Sequence, residues 1–300
     1  MEKVVESQNL GFETGLPQSE LDCCFGTRKP YRLVSREYQK ESSVIRVRGV
    51  EFGPGRFVVM AGPCAVESRD QTLRIARAVK EAGAHVLRGG AYKPRSSPYS
   101  FRGLGLEGLK ILREASLETG LPLITEAIDL ECLPSVCEYA DIVQIGARNM
   151  QNFALLEAAG KLRKPVMIKR AFSATIDEWL AAAEYIMQGG NEQVLLCERG
   201  LRSYDPNTRN LLDISAVPVV EELSHLPVVV DPSHSTGKRT LVAPVSKASL
   251  AAGARAILVD VHDRPDEALV DGAQALLPSE LKDLVESLRK IASAMEVTLK

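Results

Sequence analysis

Leu226-Pro227-Val228-Val229-Val230-Asp231-Pro232-Ser233-His234-Ser235-Thr236-Gly237-Lys238-Arg239 is the stretch on which the reading of this chain turns. Its first five residues are apolar and mostly β-branched, and prolines flank the valines, so a short buried strand is predicted over 226–230. A loop dense in titratable groups comes directly after it, which puts reactive side chains at the carboxyl end of a strand. The same layout recurs outward in both directions. Apolar, β-rich runs at 57–61, 84–88, 121–125, 141–145, 165–169, 193–198, 226–230 and 255–261 predict eight strands. Helical segments are predicted between them: Ser68 with Gln71 reads as a capping box ahead of Leu73, Ile75, Ala76 and Val79, with Gly83 as the stop, and further helices are expected over 106–119, 151–159, 175–187 and 281–297. Strands alternating with helices eight times predict an α/β chain folded as a (β/α)8 TIM barrel. The competing open doubly wound sheet calls for a Gly-rich dinucleotide turn after the first strand, and Gly62-Pro63-Cys64 is not one.

At 300 residues the chain is long enough for one such barrel. Its formal charge of −2 and pI near 6.2 argue against a general nucleic-acid or anionic-membrane surface, because both require a broad basic field. There is no basic-then-apolar leader and no apolar run near 18 residues, so a cytoplasmic location is expected. Most of Cys23, Cys24, Cys64, Cys132, Cys137 and Cys197 are then read as free thiols in a reducing compartment. Residues 1–30 are polar and aperiodic and read as a mobile tail. Residues 31–56 alternate and carry turn residues, predicting a strand or hairpin extension that caps the barrel of residues 57–300.

Active sites of barrels lie at the carboxyl ends of the strands, so the residues at and just past the end of each run matter most. Arg88, Lys93, Arg95, Arg148, Lys169 and Arg199 all stand there. Any one of them alone is best read as a solvated surface cation. Their convergence in a weakly acidic protein implies a polyanionic substrate, best met by phosphorylated metabolites. Cys64, His234, Asp260 and Asp271 supply one thiol, one imidazole and two carboxylates, a mixture that suits Mn, Fe, Co or Zn. The competing reading makes Cys64 a buried apolar thiol and His234 a hydrogen-bonded loop histidine, and spacing alone leaves both open. His262 is expected to face substrate or to support a ligand.

Five motifs then carry a family resemblance. They are Ala61-Gly62-Pro63-Cys64-Ala65-Val66-Glu67-Ser68, the stretch from Arg88 through Lys93-Pro94-Arg95-Ser96 to Phe101, Gln144-Ile145-Gly146-Ala147-Arg148-Asn149, Asp231-Pro232-Ser233-His234-Ser235, and Asp260-Val261-His262. Over residues 31 to about 285 the chain resembles the 3-deoxy-D-arabino-heptulosonate 7-phosphate (DAHP) synthases, in the type I-beta branch related to 3-deoxy-D-manno-octulosonate 8-phosphate synthases. The resemblance implies condensation of phosphoenolpyruvate with erythrose 4-phosphate, the first step of the shikimate pathway. It also implies that Arg88, Lys93, Arg148, Lys169 and Arg199 hold phosphoenolpyruvate, and that Arg95 with Ser96 holds the aldose phosphate. Cys64, His234, Asp260 and Asp271 would hold a divalent metal (Mn, Co, Fe or Zn), with Lys93, Lys169 and His234 as the catalytic set. Lys-Pro-Arg-Ser in place of the octulosonate enzymes' Lys-Ala-Asn-Arg is expected to select the shorter sugar.

Asp260 departs from the family's usual Glu and reaches about one C–C bond less, so two other readings stay open: a different phosphorylated or amino sugar acceptor, or a metal-poor paralogue without turnover. A homo-oligomer, dimer or tetramer, is expected. The residues before Phe57 are too few and too polar for the regulatory domains that relatives often carry, so no built-in site for an aromatic amino acid is expected.

Overall fold

The computed structural model describes residues 29–95 and 97–299. The tail expected over 1–30 falls almost wholly outside them, as does Ser96. Residues 31–300 form a compact unit.

An antiparallel hairpin comes first, β1 (Ile45–Val47) with β2 (Val50–Phe52). Arg48 and Gly49 form its two-residue turn with φ of 44° and 83°, the left-handed pair that matches the twist of a tight hairpin. Ahead of the hairpin, residues 32–38 are mostly turns, fixed where Glu184 accepts the backbone N–H groups of Leu33 and Val34.

Eight parallel strands come next: β3 (Arg56–Gly62), β4 (Val86–Arg88), β5 (Leu123–Ala127), β6 (Ile142–Ile145), β7 (Val166–Lys169), β8 (Val194–Glu198), β9 (Val228–Val230) and β10 (Ala256–Asp260). β10 pairs back onto β3, from Ala256 opposite Val58 to Asp260 opposite Gly62, and this closes the barrel. Outside it run α1 (Arg69–Glu81), α2 (Gly105–Thr119), α3 (Leu133–Tyr139), α4 (Phe153–Gly160), α5 (Ile176–Gln188), α6 (Ala216–Leu223), α7 (Pro232–Thr236), α8 (Arg239–Ala251) and α9 (Pro278–Ala294). A two-residue β11 (Thr298–Leu299) then adds to β3 at Arg56 and Phe57.

Of these helices, α3, α6, α7 and α8 are not expected from the sequence pattern, and α7 occupies part of the stretch after Val230 that reads as a loop. The first two span only seven and eight residues, too short for a clear period, and Pro244 inside α8 reads as a breaker although the helix continues through it. Ser68 caps α1 by accepting the Gln71 N–H, but the reciprocal half of the expected box is missing because the Gln71 amide meets His262 at 3.0 Å. The full capping box belongs to α5, between Thr175 and Glu178.

Side-chain alternation along the strands divides the core in two. Phe57, Val59, Leu87, Val143, Ile168, Leu196, Val230 and Ile257 face the helices in one cluster. Val58, Met60, Val86, Ile124, Ile142, Met167, Leu195, Val229 and Leu258 point to the barrel axis, where Ile45, Val47, Val50 and Phe52 of the hairpin join them. Two residues further along the inward parity the apolar filling gives way to charged and polar groups. Arg88 comes after Val86, Glu126 after Ile124, Gln144 after Ile142, Lys169 after Met167, Asp231 after Val229, and Asp260 after Leu258.

Candidate active site

Arg88, Glu126, Gln144 and Lys169 of that crown line a cleft of about 270 Å³ at the carboxyl ends of the strands. Arg88, Lys93, Arg95, Arg148, Lys169 and Arg199, the six cations expected from the sequence, all line it, and Arg209 is a seventh. Arg88, Lys93, Lys169 and Arg199 are buried. A buried cation is costly unless paired, so their partners define the site.

Asp231 caps the short α7, and its carboxylate, 0 % exposed, takes three groups at once. Lys169 Nζ lies 2.5 Å from Oδ2, while the His234 backbone N–H and ring Nδ1 lie 2.9 and 3.1 Å from Oδ1. Burial works against the Asp231 charge, but the His234 and Lys169 contacts overcome it and hold the carboxyl well below its usual range. Because Nδ1 donates to Asp231, the His234 Nε2 lone pair is left facing the other way.

There it meets the predicted ligand set. His234 Nε2 is 3.8 Å from Cys64 Sγ, 3.7 Å from Asp260 Oδ2 and 3.6 Å from Asp271 Oδ2, and one donor atom from each of the four residues lies within 4.8 Å of the others. Burial pushes the Cys64 thiol up to about 11, with Asp260 adding to the effect, and burial also lowers His234. A thiol held protonated beside a neutral imidazole and two carboxylates matches the donor chemistry of a divalent cation, whose charge displaces the thiol proton. The residues present therefore fit such a metal.

Cations surround this cluster. Lys93 Nζ donates to the Cys64 carbonyl at 3.0 Å and lies 3.2 Å from Sγ. Arg88 Nη1 donates to the Pro63 carbonyl at 2.8 Å and stands 2.6 Å from Asp260 Oδ1, as an ion pair rather than an aligned hydrogen bond. Burial opposes ionisation of Asp260, and Arg88 with His234 brings its pKa below the usual value. On the cleft wall Phe172 gathers guanidiniums: Arg199, Arg148 and Arg202 lie 4.7, 5.4 and 5.6 Å from its ring centroid. Burial lowers the Arg199 pKa, and its Nη1 is buried with no hydrogen-bond partner among the described residues. A buried guanidinium nitrogen facing a cleft suits an anionic ligand.

The protein-family profile described as the DAHP synthetase I family matches residues 38–297. The chain belongs to the DAHP synthetase I family. It is 54 % identical over 269 residues to the phospho-2-dehydro-3-deoxyheptonate aldolase of Thermotoga maritima, covering 90 % of this chain and 80 % of that one. It is 34 % identical over 263 residues to the 2-dehydro-3-deoxyphosphooctonate aldolase of Syntrophobacter fumaroxidans, covering 82 % and 90 %. Likeness to octulosonate enzymes fits the I-beta branch of the family. Among solved structures, the crystal structure of the T. maritima DAHP synthase superposes with a TM-score of 0.88 at 51 % identity, over 91 % of this chain and 80 % of that one. Its truncated form superposes with a TM-score of 0.84 at 49 % identity, over 89 % and 98 %.

In this DAHP synthetase I family chain several site residues escape a reading by strand ends. Arg209 reaches the cleft from the long loop after β8, and its Nη1 lies 3.1 Å from Asp271 Oδ2 and 3.0 Å from Gln274 Oε1. Neither Arg209 nor Gln274 stands at a strand end, so position gives no signal. Asp231 does stand at one, but its role emerges only from its contacts with Lys169 and His234. Conversely, Arg170 and Glu198 do not face the cleft. They occupy the outward parity and pair at 2.9 Å under α5, where the Arg170 guanidinium lies 5.9 Å from the Trp179 ring. His262, expected to face substrate or to support a ligand, is buried among Gln71, Glu67 and the Arg264 N–H.

Proposed function

We propose that the chain condenses phosphoenolpyruvate with D-erythrose 4-phosphate and water, giving 3-deoxy-D-arabino-heptulosonate 7-phosphate and inorganic phosphate, as the opening step of the shikimate pathway. Family membership supports the reaction class, and one structural observation supports its placement. A cleft lined by seven cations, with the unpartnered Arg199 Nη1 among them, opens directly onto the Cys64, His234, Asp260 and Asp271 cluster.

In this reading Arg88, Lys93, Arg148, Lys169 and Arg199 bind phosphoenolpyruvate, and their fixed charges orient it at no further ordering cost. Arg95, with Ser96, receives the phosphate of the acceptor aldose. C3 of phosphoenolpyruvate forms the new bond to the aldehyde carbon, water adds at C2, and phosphate departs with cleavage of its C–O bond. Lys93 and Lys169 are the ammonium groups placed to deliver a proton to the oxygen of the former aldehyde. Asp231 anchors the Lys169 side chain at 2.5 Å and, accepting from Nδ1, keeps His234 in the tautomer whose Nε2 serves as a ligand. A divalent ion held by Cys64, His234, Asp260 and Asp271, whether Mn, Co, Fe or Zn, supplies Lewis acidity toward the carbonyl acceptor. Lys93-Pro94-Arg95 favours the four-carbon acceptor over the five-carbon one that an eight-carbon product requires. We take the enzyme to be a cytoplasmic homo-oligomer, dimer or tetramer; no described helix is long and apolar enough to cross a membrane.

The test is phosphate release from phosphoenolpyruvate in chelated protein, before and after each of the four metals is restored, with erythrose 4-phosphate or a five-carbon aldose phosphate as acceptor. Metal-restored turnover with erythrose 4-phosphate is expected. Turnover only with the five-carbon acceptor overturns the substrate assignment, and none under any condition overturns the reaction.

A further inference from the structure

Gln274 touches neither the expected substrates nor the metal directly, yet it is 2 % exposed and closes a ring around the acidic half of the ligand set. It ends the 3-10 turn Gly272–Gln274, directly after Asp271, which is itself held in the left-handed region at φ 56° and ψ 32°. Its Nε2 donates to Asp260 Oδ2 at 2.6 Å. Its Oε1 accepts from Arg209 Nη1 at 3.0 Å, and that same Nη1 lies 3.1 Å from Asp271 Oδ2. The chain of contacts runs from Asp260 through Gln274 and Arg209 to Asp271.

Only an amide fits this place. The carboxylate accepts and the guanidinium donates, so the group between them must donate at one end and accept at the other, which also fixes the orientation of the amide. A glutamate here would set two negative groups against each other at Asp260, and an apolar side chain would remove one hydrogen bond from Asp260 and one from Arg209. The second consequence concerns Arg88, which already stands 2.6 Å from Asp260 Oδ1. A guanidinium prefers to engage a carboxylate through two parallel hydrogen bonds, and the hold of Gln274 on Oδ2 keeps that second oxygen turned toward His234.

We propose that Gln274 is a positioning residue for the metal centre: it restrains Asp260 against capture by Arg88 and, through Arg209, fixes Asp271 at the matching distance. Orienting hydrogen bonds of this kind contribute about 10- to 100-fold in metal affinity. The inference rests on the reading of Cys64, His234, Asp260 and Asp271 as metal ligands, and its test separates the two.

Co(II) affinity is measured on chelated full-length protein by competition with a chromophoric chelator, and the visible absorption of the Co(II) form reports ligand geometry. Gln274→Leu and the closer isostere Gln274→Met are each expected to weaken Co(II) about 10- to 100-fold and to change its spectrum, while thermal unfolding of the metal-free protein stays near wild type. Arg209→Leu is expected to weaken binding too, and combined with Gln274→Leu to add less than its separate effect, because both belong to one ring. Wild-type affinity and spectrum in both Gln274 variants overturn the inference while leaving the metal site intact. A wild-type protein that takes up no Co(II) overturns the metal-site reading, and the inference with it.

Discussion

Replacing Asp231 by Ala strands a charge. Lys169 is 5 % exposed, its ammonium 2.5 Å from the Asp231 carboxylate, and no other hydrogen-bond partner for it stands among the described residues. Breaking a buried pair from one side costs about 3–5 kcal/mol. The lysine can instead shed its proton, which for an ordinary lysine value of about 10.4 costs about 4.6 kcal/mol at pH 7, so the two routes set a common ceiling near 5 kcal/mol. Loss of the cap on the His234 N–H adds about 1 kcal/mol. A loss of about 4–6 kcal/mol is a large share of the 5–15 kcal/mol typical of a folded domain.

The assay is urea unfolding of chelated protein at pH 7 and pH 9. The deficit should shrink as pH rises, by up to about 1.4 kcal/mol per unit, because the unfolded variant then holds a proton that the folded variant has given up. Adding Lys169→Met removes the stranded charge and should restore most of the lost stability. A single variant losing under about 1 kcal/mol, or a double variant no more stable than the single, refutes the account.

Phe172→Leu removes the ring that gathers Arg148, Arg199 and Arg202 while keeping most of its bulk. The loss of about 1–2 kcal/mol of cation orientation should raise KM for phosphoenolpyruvate roughly 5- to 30-fold with a smaller change in kcat, and an unchanged KM in steady-state kinetics counts against a binding role. His225 is held neutral between the Leu33 carbonyl, 2.8 Å from Nε2, and Ser43 Oγ, 2.8 Å from Nδ1, and burial lowers its pKa from the ordinary 6.5. The unfolded chain therefore binds this proton more readily, so stability should be full above about pH 6.5 and fall on acidification below it, at no more than about 1.4 kcal/mol per unit. Unfolding curves of His225→Gln should lack that slope between about pH 6.5 and 5.5. Gly62→Ala places a Cβ 2.1 Å from the Arg88 carbonyl, a contact only backbone movement can relieve. A loss of about 1–3 kcal/mol in thermal unfolding is expected, and wild-type stability would contradict the packing described.

How much of this is legible in the sequence depends on which physical signal each residue carries. Strands covered on both faces read as continuous apolar runs, so all eight can be counted, and the count alone implies closure. The runs at 84–88 and 226–230 start two residues ahead of β4 and β9, because apolar character extends into the approach to a strand. Short helices carry little periodicity, which is why α3 and α6 leave no clear trace. Lys93, Lys169 and His234 can be picked out because they stand at or just beyond strand ends. Arg209 and Gln274 act from loops whose path depends on the whole fold, and only that fold brings them to 3.0 Å from each other and into contact with Asp271 and Asp260. Strand parity separates neighbours that position alone does not: counting by twos from Met167 and Leu195 sends Lys169 and Arg199 inward but Arg170 and Glu198 outward.

The hairpin below the strands also governs traffic. With Ile45, Val47, Val50 and Phe52 packed into the axial filling, the described residues close the barrel at the hairpin end and leave the cleft to open at the carboxyl ends of the strands. Both reactants, the released phosphate and the sugar product must pass the same rim of arginines, so departing anions meet the groups that welcome arriving ones. Emptying the cleft thus competes directly with filling it, and inorganic phosphate and product are natural blockers of the next turnover.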